Sequence, residues 1–310
     1  MRVAIVGQKD FGKAVLEAFI QRGDSVAGVF CAPEKTGEAA DPMRSAGEQL
    51  GIRVVSLPSL KAEEARQALR AMNADIAVLA YVLQFVPQDF ATIPRCGTIQ
   101  YHPSLLPRHR GPSSINWPII CGEERTGVTI FRPVDELDQG PIILQKETAI
   151  GADDTIGQLY FERLFPMGIE ALIEAAELVV NGRARESIQD ESRATYQGWC
   201  REAEAHIDWH THVDHVYDLI RGCNPAPGAW TLFNGKKLQL FDARKHVAQT
   251  FTQAKGRIGA VATVSAQSLI ITAQGGHIEV FKLKYDGGKK VLAAQFCAEN
   301  AIQPGMLFGA

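Results

Sequence analysis

No apolar run in the 310-residue chain approaches the roughly 20 residues that a membrane-spanning helix needs, so no such span is expected. Charge of either sign is also lacking in excess. Lys and Arg total 32 against 35 Asp and Glu, a formal net charge of −3 at pH 7. That balance gives no electrostatic reason for a nucleic-acid or anionic-membrane partner. The six cysteines, at 31, 96, 121, 200, 223 and 297, show no CxxC spacing. They predict neither a zinc frame nor a disulfide scaffold and fit reduced thiols of a cytoplasmic protein. Repeats and low-complexity tracts are missing too. The N-terminus, MRVAIVGQKDFG, turns polar too soon for a signal peptide and reads as a first strand and turn.

What remains is an ordinary globular composition, 46% hydrophobic and 22% charged, in a chain long enough for a large and a small domain. Val3-Ala4-Ile5-Val6-Gly7 is a β-branched run ending in glycine, the pattern of a buried parallel strand. Phe11, Val15, Ala18 and Phe19 follow at helical spacing until Arg22-Gly23-Asp24. Further strands are expected at 25–30, 53–57, 76–80 and 98–101, with a helix over 61–72. Strands alternating with helices predict an α/β fold with a doubly wound, mostly parallel sheet. Two more strands are expected at 128–131 and 142–146. Asp153-Asp154-Thr155 should cap a long helix reaching Asn181-Gly182, bent near Pro166. Residues 183–204 lose periodicity and read as a linker. A helix over 213–220 is then followed by short strands at 230–233, 237–241, 256–264, 268–272 and 278–284. Turns such as Asn234-Gly235 and Gly275-Gly276 join them, which predicts a small β-barrel.

Gly7-Gln8-Lys9-Asp10-Phe11-Gly12 joins a strand to a helix but lacks GxGxxG spacing, so no nicotinamide cofactor is expected there. His206 and His210 stand at helical i,i+4 spacing beside His212 and His215. The glutamate of an HExxH motif is absent, and no metal is expected. Between Glu204 and Ala310 there are eleven Lys and Arg against eight Asp and Glu. That excess is weak for a nucleic-acid module, and Lys282, Lys284, Lys289 and Lys290 read as a solvated hairpin.

His102 falls at the carboxyl end of a predicted strand, the edge where open α/β sheets bind ligands. Pro103 and Pro107 stiffen the turn beyond it. Downstream, the acidic loop Val134-Asp135-Glu136-Leu137-Asp138-Gln139-Gly140 returns the chain to the same edge. An imidazole and a carboxylate on adjacent strand ends suit general acid–base chemistry. Spacing alone equally allows a satisfied turn histidine and an aspartate that caps a turn.

The run Tyr101-His102-Pro103-Ser104-Leu105-Leu106-Pro107-Arg108-His109-Arg110-Gly111, with Ser114-Ile115-Asn116-Trp117, resembles the formyltransferase family that uses 10-formyltetrahydrofolate. Leu137-Asp138-Gln139-Gly140 resembles that family's Asp-x-Gly motif. The likeness spans nearly the whole chain and is strongest to the hydrolase-domain branch found in 10-formyltetrahydrofolate dehydrogenases. Gln84-Phe85-Val86-Pro87, Leu144-Gln145-Lys146-Glu147, Ala194-Thr195-Tyr196 and Ile220-Arg221-Gly222 belong to it. The resemblance implies a Rossmann-like catalytic domain over 1–203 and an OB-like β-barrel over 204–310. It implies His102 as catalytic histidine, Asp138 as essential aspartate, and Gln84, Phe85 and Val86 as the loop lining the pteridine pocket. Arg108 and Arg110 could attract the glutamate tail of the folate, or form a solvated basic face. One residue departs from the pattern: transferases carry Asn two positions before the histidine, and here that position is Gln100, a longer amide able to assist at the oxyanion. The expected reaction is hydrolysis of 10-formyltetrahydrofolate, with transfer to an amine as the alternative. The sequence leaves open the acceptor, the oligomeric state and whether the chain is part of a larger protein.

Overall fold

The structure, a computed structural model, describes residues 1–250 and 256–309. Contacts divide the chain into two compact units. The division is not a single cut. The first unit holds residues 1–111, 127–148 and 161–196, and the second holds 112–126, 149–160 and 197–310.

The first unit is built on seven strands: β1 (Arg2–Gly7), β2 (Ser25–Cys31), β3 (Val54–Ser56), β4 (Ile76–Ala80), β5 (Thr98–His102), β6 (Arg125–Phe131) and β7 (Ile142–Ala149), in the order β3-β2-β1-β4-β5-β6-β7. The pairs from β3 through β5 are parallel, and β6 runs antiparallel to β5. Val3, Ala4, Ile5 and Val6 are all buried, as a continuous apolar strand must be when helices cover both faces. Helices α1 (Lys9–Gln21), α2 (Pro42–Gln49), α3 (Glu63–Met72) and α4 (Gln88–Ala91) connect these strands. Helix α1 lacks a side-chain cap of its own. Its first amide, Lys9 N, instead donates to both oxygens of buried Asp41, at 3.1 and 2.9 Å, and Asp41 also caps α2 through Met43 N. The anion at this helix start is therefore supplied by the chain itself.

The predicted long helix is three pieces: α6 (Ile156–Leu159), a π-helical turn (Tyr160–Leu164) and α7 (Phe165–Val180), with α5 (Asn116–Ile120) earlier in the chain. Thr155 and Gln158 form the capping box at its start. Pro166 falls in the first turn of α7, directly after the π-helical turn, where a residue that has no N–H to donate is tolerated.

In the second unit, β8 (Trp230–Phe233), β9 (Lys236–Val247), β10 (Val261–Val264), β11 (Leu269–Ala273), β12 (Gly276–Tyr285) and β13 (Lys290–Leu292) form an antiparallel sheet curled into a half-barrel. Its core joins Leu238, Leu240, Ile271, Ile278 and Val280 to Val216 and Tyr217 of α8 (Val213–Gly222) and Phe296 of α9 (Ala293–Glu299). Trp117 and Ile120 of α5 pack on the same core. Gly222 makes that approach possible, since a Cβ there would lie 2.6 Å from Ile120 Cγ1.

Candidate active site

His102 is the last residue of β5 rather than the first beyond it, and it is 5% exposed. The proline-flanked turn after it is strapped to the sheet by side chains. Thr129 Oγ1 donates to Ser104 O at 2.7 Å, Leu106 N donates to Thr129 Oγ1 at 3.1 Å, and Gln145 Nε2 donates to Leu106 O at 2.8 Å. So held, the turn presents the His109 carbonyl 2.9 Å from His102 Nε2. A carbonyl only accepts, so Nε2 carries hydrogen, and Nδ1 is the ring nitrogen left to meet another partner.

That Nδ1 faces Asp138. The gap to Asp138 Oδ2 is 3.7 Å, too long for a direct hydrogen bond but close enough for ion pairing when the ring is protonated. Asp138 is 6% exposed, and its Oδ2 accepts from Gly111 N at 2.9 Å. Its Oδ1 takes no hydrogen bond among the described residues. One oxygen is anchored and the other is available to a third group.

The backbone explains the Asp-x-Gly spacing. Asp138 sits at φ 56°, a left-handed conformation that costs an L-residue about 1–2 kcal/mol and that aspartate tolerates better than most. Two residues on, a Cβ at Gly140 would stand 1.6 Å from Arg132 O, so the loop can return to the sheet only with glycine there. Gly140→Ala should accordingly destabilise the protein by about 1–3 kcal/mol. An unchanged urea midpoint would show that the loop shifts without cost.

Gln100 lies two residues before His102 on β5 and hence on the same face of the sheet. It is partly buried, pairs in register with Phe131 and Leu79, and its amide makes no hydrogen bond among the described residues. The Gln84-Phe85-Val86 loop follows β4, the neighbour of β5, so it reaches the same edge one strand away. Gln84 Nε2 donates to Leu57 O at 2.8 Å, Val86 is buried, and the half-exposed Phe85 ring lies 4.7 Å from Lys61 Nζ. No hydrogen bond or ring contact joins these three to His102 or Asp138 among the described residues. Tyr81, Leu83 and Phe85 leave apolar surface exposed beside a cleft lined by Gly7, Gln8, Cys31 and Gln84. That cleft lies at the ends of β1, β2 and β4, the switch point where the strand order reverses.

Two sequence expectations change. Arg110 is neither on a solvated face nor free to meet a folate tail. Its guanidinium is buried and paired with Gln189 and Glu191. The 183–204 stretch is no slack tether, since Ser187 bridges Ile142, Tyr196 bridges Arg110, and Thr195 Oγ1 accepts from His109 N at 2.8 Å. Sequence reasoning overlooked Gln189 and Thr195 because they lie in an aperiodic polar stretch. The Ala194-Thr195-Tyr196 motif was the one available signal. Elsewhere, His206 packs on Trp230, His210 pairs with Asp208 and His212 with Asp214, and no group able to hold a metal occurs among the described residues.

Residues 1–176 match the formyl transferase family, and residues 200–301 match the formyl transferase C-terminal domain. The chain belongs to the formyl transferase family. The mitochondrial 10-formyltetrahydrofolate dehydrogenase of Homo sapiens is 35% identical over 305 residues, covering 96% of this chain and 33% of that protein. The cytosolic enzyme of Mus musculus is 36% identical over 314 residues, covering 97% and 34%. The chain thus spans about a third of the length of these dehydrogenases. A methionyl-tRNA formyltransferase of Syntrophus aciditrophicus (strain SB) is 31% identical over 312 residues, covering 99% of this chain and 98% of that one. In fold, this formyltransferase-family enzyme is similar to HypX from Aquifex aeolicus solved with tetrahydrofolic acid (TM-score 0.65, 18% identity, 96% of this chain and 47% of that chain). It is equally similar to an N-formyltransferase from Helicobacter canadensis solved with folinic acid and dTDP-3-aminofucose (TM-score 0.65, 17% identity, 90% and 98%). No helix among the described residues is long and apolar enough to cross a membrane.

Proposed function

We propose that this chain hydrolyses 10-formyltetrahydrofolate to tetrahydrofolate and formate in the cytoplasm. The observation that carries the reading is the buried pair itself: His102 Nδ1 stands 3.7 Å from Asp138 Oδ2, with the other ring nitrogen fixed. The open Oδ1 of Asp138 orients a water and takes its proton as the water oxygen bonds to the formyl carbon. The formyl oxygen becomes an oxyanion, to which His102 Nδ1–H donates. The Gln100 amide serves as an auxiliary donor, and one such donor is commonly worth ~3–4 kcal/mol in the transition state. As the intermediate collapses, the carbon–N10 bond breaks, N10 takes the proton from His102, formic acid departs and ionises to formate in solvent, and the proton held by Asp138 passes back to His102 Nδ1. These groups supply the activated nucleophile, the oxyanion partner and the leaving-group proton, so the scheme calls on neither metal nor nicotinamide. Gln84, Phe85 and Val86 would line the pteridine pocket, where the exposed Phe85 ring offers a stacking face.

A second reading, transfer of the formyl group to an amine, is favoured by the match to a methionyl-tRNA formyltransferase along 98% of its length. Gln100 also restores an amide where transferases have Asn. The purified chain mixed with 10-formyltetrahydrofolate and no acceptor separates the two. Prompt, stoichiometric formate and tetrahydrofolate support hydrolysis. A chain that is silent until an amine is added overturns it in favour of transfer.

A further inference from the structure

We propose that Gln189 is a positioning residue for Asp138, a role that rests on the reading of Asp138 as the group that activates the nucleophile. Gln189 is 4% exposed and lies outside both strands and helices, in the stretch after α7. Its amide uses every hydrogen-bonding capacity it has. Nε2 donates to Asp138 O and to Gly140 O, both at 2.8 Å. Oε1 accepts from Arg110 Nη2 at 2.9 Å and from Arg110 Nε at 3.3 Å. Arg110 is held in turn by a two-pronged pair with Glu191, Nη2 to Oε1 at 2.6 Å and Nη1 to Oε2 at 2.9 Å.

The two ends of this clamp converge on one carboxylate. On one side, Gln189 ties the carbonyls of Asp138 and Gly140, which fixes the left-handed turn that aims the Asp138 side chain. On the other side it ties Arg110, and the next residue, Gly111, donates its amide to Asp138 Oδ2 at 2.9 Å. Backbone direction and carboxylate orientation are thus set by one buried amide. Only a group that donates twice and accepts twice at once fits between two carbonyls and a guanidinium. Glutamate keeps the shape and the Arg110 contact but loses both donors, and it brings a carboxylate oxygen against two carbonyl oxygens.

Gln189→Glu is therefore the decisive variant. The expected result is a kcat about 10–100-fold lower, the range seen when a partner that orients a reacting group is lost, with KM within about threefold. The Gly111 amide resonance should shift in the nuclear magnetic resonance spectrum of the ligand-free protein, a readout that needs no turnover. A kcat within twofold of wild type, or an unmoved Gly111 signal, overturns the assignment. So does a parallel loss of kcat, substrate affinity and thermal midpoint, which marks a purely structural residue. Because Gln189→Glu could impair folding, Glu191→Ala provides a second test. Glu191 is an exposed residue whose loss frees one side of Arg110, and about a two- to fivefold fall in kcat with an unchanged midpoint is expected. If the wild-type chain turns over no formyl donor, or if Asp138→Asn retains activity, the catalytic reading fails on its own account. The Gly111 signal still decides whether Gln189 sets the carboxylate.

Discussion

Asp138→Asn is expected to lower turnover of 10-formyltetrahydrofolate by about 10³–10⁴-fold while folate binding stays within about threefold, since general-base assistance and the charge beside the imidazole vanish together. The substitution changes little in shape. The amide oxygen can keep the hydrogen bond from Gly111 N, and the left-handed backbone at φ 56° suits asparagine as well as aspartate. What disappears is the ability of the free oxygen to take a proton and of the pair to share charge across 3.7 Å. Saturation kinetics together with equilibrium titration of tetrahydrofolate test this directly. Activity within tenfold of wild type would remove Asp138 from the reaction.

His102→Gln should cost about 10²–10⁴-fold in kcat, at least as much as loss of a single positioned acid. A glutamine amide can still donate to the His109 carbonyl, which His102 Nε2 reaches at 2.9 Å, so the strapped turn keeps its anchor. The nitrogen facing Asp138 has no counterpart in glutamine, and the proton for the oxyanion and the leaving N10 is lost. The contrast with His102→Asn separates chemistry from structure. Both variants should be inactive, but only the asparagine, too short for the carbonyl, should also lower the thermal midpoint. Equal loss of stability in both would show that the turn depends on the ring itself.

Much of this was legible in the sequence. Val3–Val6 and Ile76–Ala80 are unbroken apolar runs buried on both faces, and Thr98–Tyr101 is a run of the same kind interrupted only by Gln100. His102 announced itself by standing where such a run ends. Helix α2 did not, because only Met43, Ala46 and Gly47 of its eight residues are buried and no apolar stripe marks it. Asp138 was visible as one of several acids in a loop, and only its resemblance to the Asp-x-Gly motif singled it out. The physical reason for that motif, the clash a Cβ at Gly140 would make with Arg132 O, comes from how the loop folds back on the residue that follows β6, a closeness in space that spacing does not record. Gln189 was invisible for the same cause. Its partners Arg110, Asp138 and Gly140 come from two other segments, and neither periodicity nor composition records such a convergence.

The interleaving of the two units bears on how the protein can be dissected. Residues 112–126 belong with the C-terminal unit, where Asn116 Nδ2 donates to Gly222 O at 2.8 Å and Trp117 and Ile120 rest on the half-barrel core. A truncation at residue 203 would strip these side chains of their support and leave an indole and an aliphatic group bare in the middle of the retained piece. The sticky fragment that results is a poor vehicle for assays, and swapping the half-barrel for that of a relative would have to carry residues 112–126 and 149–160 with it.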